Sequence, residues 1–215
     1  MEEPQVHPDT GRETRTGQPE VIYGPGKTAE QILAVARDLH EAGVRPILAS
    51  RVTAEQVEAF NAAFPDARYH ETANLLVLDP APRRRGTVAV VAAGTSDLAV
   101  ADEAAATAEA FGLSVERITD VGVAGVHRVL ERASTLELMD AVIVVAGMEG
   151  ALPSVVAGLV SAPVIAVPTS VGYGATFEGL AALLGMLSSC VPGLVVVNID
   201  NGLGAAMAAH RMLSG

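Results

Sequence analysis

Short apolar runs alternate with Ala-rich, helix-like segments from Thr87 to the C-terminus. The strand-like runs are TVAVVAAG, LSVERI, DAVIVVAG, PVIAVPTS and GLVVVNID, and the predicted helices cover residues 98–111, 125–132, 151–160, 179–188 and 202–212. Strands that are apolar throughout are buried on both faces, as in a parallel sheet covered by right-handed helical crossovers. The pattern therefore predicts an α/β doubly wound three-layer sandwich with a mostly parallel five-stranded sheet.

The first part of the chain repeats one local pattern twice. A predicted strand, VIY (21–23) or RPILAS (45–50), is followed in each case by the letters TAEQ. In a capping box, a threonine and a glutamine three residues later satisfy backbone N–H groups at the start of a helix. Thr28 with Gln31 has this spacing, and so does Thr53 with Gln56. Two more strand-like pieces, ARYHE and NLLVLDP, follow the second predicted helix, so this part is predicted to be a small α/β domain.

The segment PAPRRRG (80–86) combines prolines, adjacent arginines and a glycine, which is typical of a boundary between domains. Residues 1–19 are polar and lack periodicity, as expected for a flexible or loosely docked arm. We therefore predict a flexible N-terminal arm over residues 1–19, the small α/β domain over 20–85, and the five-stranded sandwich over 86–215.

Composition and charge restrict the partners. Half of the residues are hydrophobic and only 3% are aromatic, which suits close packing of helices on a sheet. The net charge of −11 repels nucleic acid and anionic membranes, so we expect neither as a partner. Glu149, Pro153 and Pro163 interrupt the apolar stretch 141–168, which argues against a membrane span. A single cysteine and a polar start without an apolar leader fit a cytoplasmic protein.

The polar residues of the second domain concentrate in the segments that follow its predicted strands. These segments are GTSD (94–97), TDVGVAGVHR (119–128), GMEGALP (147–153), PTSVGYG (168–174) and NIDNG (198–202). In an open parallel sheet, ligands bind outside the carboxyl ends of the strands, where the strand order reverses. The sequence thus predicts a site at one edge of the sheet, whereas the connections at the opposite edge are short and apolar.

The turn formed by Gly94, Thr95, Ser96 and Asp97 leads into a predicted helix. Its N–H groups and hydroxyls could hold a phosphate at the positive end of that helix. The alternative is an ordinary helix cap by Ser96 or Asp97, and the sequence alone leaves both open.

Cationic side chains offer further contacts for an anion. His127 and Arg128 follow two glycines at the predicted edge, where they form either an anion clamp or a solvated helix face. Lys27 is not a P-loop lysine, because Val21 stands where the first Walker glycine would be. It is instead a surface cation or a cation facing the ligand.

Glu149 and Cys190 are candidate reacting groups. Glu149 directly follows an apolar strand, where we expect burial to raise its pKa toward that of a useful general base or acid; the alternative is a helix-start glutamate. Cys190 ends a predicted helix, where a lone cysteine is usually an inert small hydrophobe. This position is expected at the opposite edge of the sheet, away from the polar loops. An oligomer could deliver Cys190 of one subunit to the site of another.

These residues lie within strings that resemble the LarB family over essentially the whole chain. The strings are PEVIYGPGKT, AGTSDLAVADEAA, TDVGVAGVHR, VVAGMEGALPSVVAGLVSAPVIAVPTSVGYGA and LLGMLSSCVPGLVVVNIDNGLGAA. The second domain also resembles the PurE carboxylase/mutase fold, which is flavodoxin-like, and GTSD corresponds to its phosphate-binding turn. PurE sequences carry a histidine just ahead of Leu-Pro, and here Ala151 occupies that place. This departure shifts attention from PurE chemistry to Glu149.

The LarB resemblance implies carboxylation of nicotinic acid adenine dinucleotide at pyridinium C5, by CO2 or bicarbonate, with cleavage of the phosphoanhydride to release AMP. The product would be pyridinium-3,5-biscarboxylic acid mononucleotide, a precursor of the nickel-pincer cofactor. The family's cysteine nucleophile falls on Cys190 and its proton-abstracting glutamate on Glu149. Candidates to hold the carboxylates and the diphosphate, besides Gly94 and Asp97 of the turn, are Lys27, Arg51, Thr95, Ser96, His127, Arg128, Ser170 and Asn201.

No tightly bound cofactor is expected. Mg²⁺ is one candidate ion for anhydride hydrolysis, with Asp97, Asp120 and Asp200 as weak candidate ligands. Relatives of this fold form octamers, so we expect a homo-oligomer, with the octamer as one candidate size. Two rival functions are a PurE-like carboxylase or mutase acting on an aminoimidazole ribonucleotide, and a non-catalytic nucleotide-binding subunit.

Overall fold

A computed structural model describes residues 6–214. The chain divides into two compact units. The first comprises residues up to Arg83 together with Ala110–Gly112, and the second comprises Arg84–Glu109 together with the chain from Leu113 onward. Residues 1–5 of the predicted arm lie outside the described residues. The rest of the arm includes a one-turn helix that the sequence pattern did not predict.

The first unit is built on a four-stranded mixed sheet. Its elements are α1 (Arg12–Thr16), β1 (Val21–Tyr23), α2 (Ala29–Glu41), β2 (Ile47–Ser50), α3 (Ala54–Ala63), β3 (Arg68–His70) and β4 (Leu75–Leu78). The strand order is β1-β2-β4-β3, with β1 and β2 parallel and the other pairs antiparallel. Both predicted capping boxes are confirmed, at Thr28 with Gln31 and at Thr53 with Gln56.

The second unit contains the regular β–α alternation. Its elements are β5 (Thr87–Ala92), α4 (Leu98–Ala110), β6 (Ser114–Ile118), α5 (Val126–Leu130), α6 (Ala133–Leu136), β7 (Ala141–Ala146), α7 (Leu152–Ala157), β8 (Val164–Pro168), α8 (Leu180–Leu187), β9 (Val195–Val196) and α9 (Gly202–Met212). Short 3₁₀ turns at Thr95–Asp97, Val123–Gly125 and Phe177–Gly179 precede α4, α5 and α8.

The five strands form one all-parallel sheet in the order β6-β5-β7-β8-β9. Alternate residues of each strand belong to the two separate apolar clusters that cover its faces. Val88 and Val90 pack in the cluster that includes residues of α4 and α9, whereas Ala89 and Val91 pack in the cluster that includes residues of α7 and α8. The predicted doubly wound, flavodoxin-like sandwich is thus confirmed.

Some elements of the second unit differ from the prediction, two of them clearly. The helix predicted over 125–132 ends at Leu130, because the Arg132 N–H bonds to the carbonyl of Val129, three residues back, and breaks the α-helical ladder. The last strand is reduced to two residues, and it lies at the edge of the sheet with Val195 partly exposed. Over residues 6–214, we find no helix whose length and apolarity would let it cross a membrane.

Candidate functional site

A cavity of about 370 Å³ opens at the carboxyl edge of the five-stranded sheet. The chain leaves β5 toward β6 on one side and returns to β7 on the other, so the strand order reverses between β5 and β7. The cavity lies at this point, as expected for an open α/β sheet. Its lining comes from the loops after β5, β6, β7 and β8: Ala93, Gly94, Thr95, Ser96, Asp97, Asp120, Gly122, Val123, Ala124, Ala146, Gly147, Met148, Glu149, Ala151, Leu152 and Val171.

The turn after β5 presents two hydroxyls to the cavity. Thr95 and Ser96 are exposed, and the first-turn N–H groups of a helix have no intrahelical partner. Asp97 is buried, and its Oδ2 accepts the Gly94 N–H at 2.9 Å. The capping carboxylate therefore closes the turn from inside the protein, while the hydroxyls of Thr95 and Ser96 remain available to a ligand.

Asp97 also reaches the segment after β8. Thr169, which is fully buried, donates its hydroxyl to Asp97 Oδ1 at 2.7 Å. Burial raises the pKa of the Asp97 carboxyl, opposed by the hydrogen bonds from Thr169, Gly94 and Gly147, and the charge of Asp200 adds to the increase. Thr169 was missed by the sequence analysis, although a polar residue directly after an apolar strand at the site edge was an available signal.

The loop carrying Glu149 is held by close backbone approaches. A methyl group on Gly147 would lie 2.2 Å from the carbonyl oxygen of Val171, and one on Gly150 would lie 2.7 Å from that of Ala182. Gly150 also has φ +68°, a conformation that favours glycine. These contacts fix the path of the loop and turn Glu149 outward.

Glu149 lines the cavity, but its side chain is exposed. The expected burial of Glu149 was therefore wrong. Glu149 does lie in the loop that follows β7. The backbone turn at Met148, where φ is +53°, directs Glu149 to the surface of the cavity. The carboxylate is accessible to a ligand and to water.

Arg128 and Asp120 form an ion pair at the rim, with Arg128 Nη1 2.7 Å from Asp120 Oδ2. Gly122 lets this loop pass close to β5, since a methyl group there would lie 2.8 Å from the Ala93 carbonyl oxygen. His127 is exposed on α5 and is not among the described residues that line the cavity. Arg128, predicted to form either an anion clamp or a solvated helix face, thus has a carboxylate partner within its own chain.

Ser170 and Asn201 take part in contacts that shape the same edge. The backbone N–H of Ser170 donates to Asp200 Oδ1 at 2.8 Å, while the Ser170 side chain is exposed. Asn201 caps α9, and its Oδ1 accepts the Gly204 N–H at 2.8 Å. Neither lines the cavity as the structure describes it.

Cys190 is exposed and follows the C-terminal end of α8. Its neighbour Ser189 shares a hydrogen bond of 2.7 Å with Ser154 in α7, the helix that begins directly after the Glu149 loop. Cys190 does not belong to the described lining of the cavity. Among the described residues of one chain, Glu149 thus lines the cavity and Cys190 does not; the placement of Cys190 at the opposite edge of the sheet stays a prediction.

Lys27 and Arg51 belong to the first unit, which carries its own edge of loops. Gln56, buried in α3, donates to the carbonyl oxygens of Gly24 and Lys27 at 3.1 and 2.7 Å. Arg51 has φ +55° directly after β2, and its side chain is exposed. Both cations therefore follow parallel strands within their own unit.

The three aspartates considered for Mg²⁺ do not assemble into a metal-ligating group. No cluster of three or more His, Cys, Asp or Glu side chains suited to a metal occurs among residues 6–214. Asp97 is bonded to the protein, Asp120 pairs with Arg128 and Asp200 accepts from Ser170.

Two family models match the chain, one for each part. The LarB/PurE-like N-terminal domain matches residues 4–80, and AIR carboxylase matches residues 87–215. An uncharacterised protein of Methanocaldococcus jannaschii is 41% identical over 94% of this chain and 81% of its own length.

Further similarity falls on N5-carboxyaminoimidazole ribonucleotide mutases and on solved structures of PurE. An N5-carboxyaminoimidazole ribonucleotide mutase of Methanocaldococcus jannaschii is 36% identical over 59% of this chain and 78% of the mutase. The mutase of Pyrococcus abyssi is also 36% identical over 59% of this chain, and over 73% of its own length. The crystal structure of Treponema denticola PurE aligns over 60% of this chain and 81% of that chain, with 26% identity and a TM-score of 0.50.

Proposed function

This chain belongs to the LarB family of carboxylase/mutase-type enzymes with a PurE-like C-terminal domain, and from that premise we propose that it carboxylates nicotinic acid adenine dinucleotide and releases AMP. The product is pyridinium-3,5-biscarboxylic acid mononucleotide, a precursor for nickel-pincer cofactor biosynthesis.

One observation carries the proposal: an accessible carboxylate, Glu149, faces a cavity of about 370 Å³ beside the hydroxyls of Thr95 and Ser96. Small-molecule sites are typically about 300–1,000 Å³, so the cavity can hold the nicotinate mononucleotide half of the substrate. The turn supplies phosphate contacts, and Glu149 supplies a base on the opposite loop.

The proposed reaction proceeds through a covalent adduct. The thiolate of Cys190 adds to the cationic ring, and the ring becomes a neutral dihydropyridine whose C5 is nucleophilic. C5 attacks the carbon of CO2 and forms the new carbon–carbon bond. Glu149 then takes the C5 proton, the C–S bond breaks, the thiolate leaves and the aromatic pyridinium returns. Separately, water cleaves the phosphoanhydride and AMP is released.

We further propose that the enzyme works as a homo-oligomer in which Cys190 of one subunit reaches the cavity of another. Two features support this arrangement. Cys190 is exposed outside the cavity of its own chain. The helix that leads to it, α8, exposes Leu180, Leu184 and Leu187, which recur at helical spacing and are suited to burial against a second copy.

A second candidate is the mutase reaction on an aminoimidazole ribonucleotide, which is favoured by the names of the shorter relatives. Ala151 lines the cavity at the position where the PurE resemblance places a histidine. A PurE-like enzyme would also have no use for Cys190.

The test is incubation of the protein with nicotinic acid adenine dinucleotide and ¹³C-bicarbonate, followed by mass spectrometry. We expect a mononucleotide that has gained one labelled carboxylate, together with an equal amount of AMP. Conversion of N5-carboxyaminoimidazole ribonucleotide instead would establish the second candidate. Tight nucleotide binding without turnover would favour a non-catalytic binding subunit.

Subunit mixing tests the shared site. Cys190→Ala and Glu149→Gln are each expected to be inactive, because one lacks the nucleophile and the other lacks the base. When the two variants are mixed and reassembled, some cavities receive an intact Cys190 and an intact Glu149 from different chains, so activity should return. Mixtures of each variant with itself serve as controls. A mixture that stays inactive after confirmed subunit exchange would place both groups in one chain.

A further inference from the structure

Three strand ends of the second unit meet at one buried carboxylate. Asp97 follows β5 and is 4% exposed. It accepts hydrogen bonds from Gly94 in its own turn and from Thr169 after β8. Gly147, directly after β7, packs against the donor of the second bond, since a methyl group on it would lie 2.7 Å from Thr169 Oγ1. The two donors therefore come from the ends of β5 and β8, and the end of β7 packs against them.

We propose that Asp97 is a positioning residue, not a ligand for the substrate or for a metal: its carboxylate fixes the phosphate-binding turn and the Glu149 loop in one arrangement. The role of the Glu149 loop rests on the function proposed above. The hydrogen bonds themselves do not depend on that function.

The burial of Asp97 and the engagement of both its oxygens argue against direct contact with a ligand. The side chain is 4% exposed, and each of its oxygens already accepts a hydrogen bond from the protein. Thr169 is fully buried, so the bond between them is shielded from water. Asp97 also borders the cavity, but it is only 4% exposed, whereas Thr95, Ser96 and Glu149 line it with exposed side chains.

The connection to Glu149 is short. Gly147 stands two residues before Glu149, and the Met148 N–H donates to the Val171 carbonyl at 2.9 Å. Thr169 in turn donates its backbone N–H to Ala146 at the end of β7. Release of Asp97 would therefore loosen the loop that aims the base, while the hydroxyls of the turn would keep their chemistry.

Variants at Thr169 isolate the hydroxyl that Asp97 receives. Thr169→Val keeps the shape and removes the donor, while Thr169→Ser restores the donor. Thr107→Val is the matched control: Thr107 is also fully buried in this unit, but its hydroxyl has no hydrogen-bond partner among the described residues. Asp97→Asn is the more severe change. It replaces one acceptor oxygen by an NH₂ group, which would face the Gly94 N–H or the Thr169 hydroxyl, both of which are donors.

The first measurement is amide hydrogen exchange in the protein without substrate. We expect Thr169→Val and Asp97→Asn to speed exchange in peptides covering 93–98 and 146–150, while Thr169→Ser and Thr107→Val leave both peptides protected. Unchanged exchange in Thr169→Val would overturn the proposal. The exchange measurement needs no turnover of nicotinic acid adenine dinucleotide. It therefore tests the positioning role of Asp97 even if the proposed function fails.

The second measurement is steady-state kinetics with nicotinic acid adenine dinucleotide. We expect kcat to fall about tenfold in Thr169→Val and roughly tenfold to a hundredfold in Asp97→Asn, with a smaller change in KM, because a misplaced base slows the chemical step more than it weakens binding. Thr169→Ser should recover kcat. A rise in KM with unchanged kcat would instead make Asp97 a substrate-binding residue and would overturn the positioning role.

Discussion

Glu149 and Cys190 are both exposed, but the structure supports them in different ways. The Glu149 loop makes close backbone contacts with neighbouring segments, and the N–H of Met148, just before Glu149, donates to the Val171 carbonyl. The segment at Cys190 leaves the end of α8, with Ser189 bonded to Ser154. A base that lines the cavity can be positioned toward the ligand by contacts within its own chain. A nucleophile outside that cavity needs a second surface to aim it, which is why an oligomer enters the proposed mechanism.

Gly185→Ala should displace the Glu149 loop and have the largest effect. Gly185 lies in α8, and a methyl group there would lie 2.3 Å from the carbonyl oxygen of Glu149. Either the loop or the helix must move, so we expect kcat to fall about a hundredfold and the free energy of unfolding to fall by about 1–3 kcal/mol. Kinetics and urea unfolding would measure the two effects.

The matched control for Gly185 is Gly158→Ala. Gly158 follows α7 with an ordinary φ of −77°, and the nearest atom to an added methyl group is 3.4 Å away. This change should leave kcat nearly unaltered. If Gly185→Ala is equally mild, the Glu149 loop is not held by its contact with α8.

Ser189→Ala should loosen the segment that carries Cys190, with a smaller expected effect. It removes the bond to Ser154 and a longer one, at 3.3 Å, from the Val191 N–H. A neutral hydrogen bond contributes about 0.5–1.5 kcal/mol, so stability should fall by that amount and kcat by several-fold. Ser154→Ala removes the same bond from the other side.

The two serine changes should not be additive. In a double-mutant cycle, the pair is expected to show a coupling energy of about 1 kcal/mol, measured from urea unfolding of both single variants and the double variant. Simple additivity would mean that the segment carrying Cys190 is held by other contacts.

Much of this arrangement could be predicted from sequence, because local chemistry determines it. The alternation of apolar strands with Ala-rich helices and the two TAEQ capping boxes depend on residues close in the chain, and both are confirmed. The clustering of polar residues after the strands located the cavity, because parallel strands present their carboxyl ends at one edge.

The remaining features depend on contacts between distant segments. The exposure of Glu149 follows from where its loop meets α8, and the bond between Asp97 and Thr169 joins residues 72 positions apart. The pairing of Arg128 with Asp120 depends on the turn between them. Apolar periodicity reports which face of an element is buried, but it does not report how a loop of glycines turns.

The smallest expected effect is on the pH dependence of stability, and it comes from His210, which lies outside the Glu149 loop and the Cys190 segment. It lies in α9, and Arg84, just before β5, approaches its Nε2 at 2.6 Å. Burial, and then the charge of Arg84, lower the pKa of His210. The unfolded chain therefore binds a proton more readily than the folded chain. The resulting stability is fully present above the ordinary histidine pKa of about 6.5, and it is lost as the pH falls through the lowered folded value.

We therefore expect the urea midpoint of the wild type to fall modestly between pH 7 and pH 5, and His210→Gln to remove part of that fall. His210 is at the opposite end of β5 from the cavity turn. The substitution should therefore leave the losses of stability caused by Gly185→Ala and Ser189→Ala unchanged at each pH. A slope against pH that is identical in wild type and His210→Gln would assign the acid sensitivity to other groups. The buried carboxyl of Asp97 is not an alternative source of this loss, because a raised carboxyl pKa makes the folded state the better proton acceptor and stabilises it on acidification.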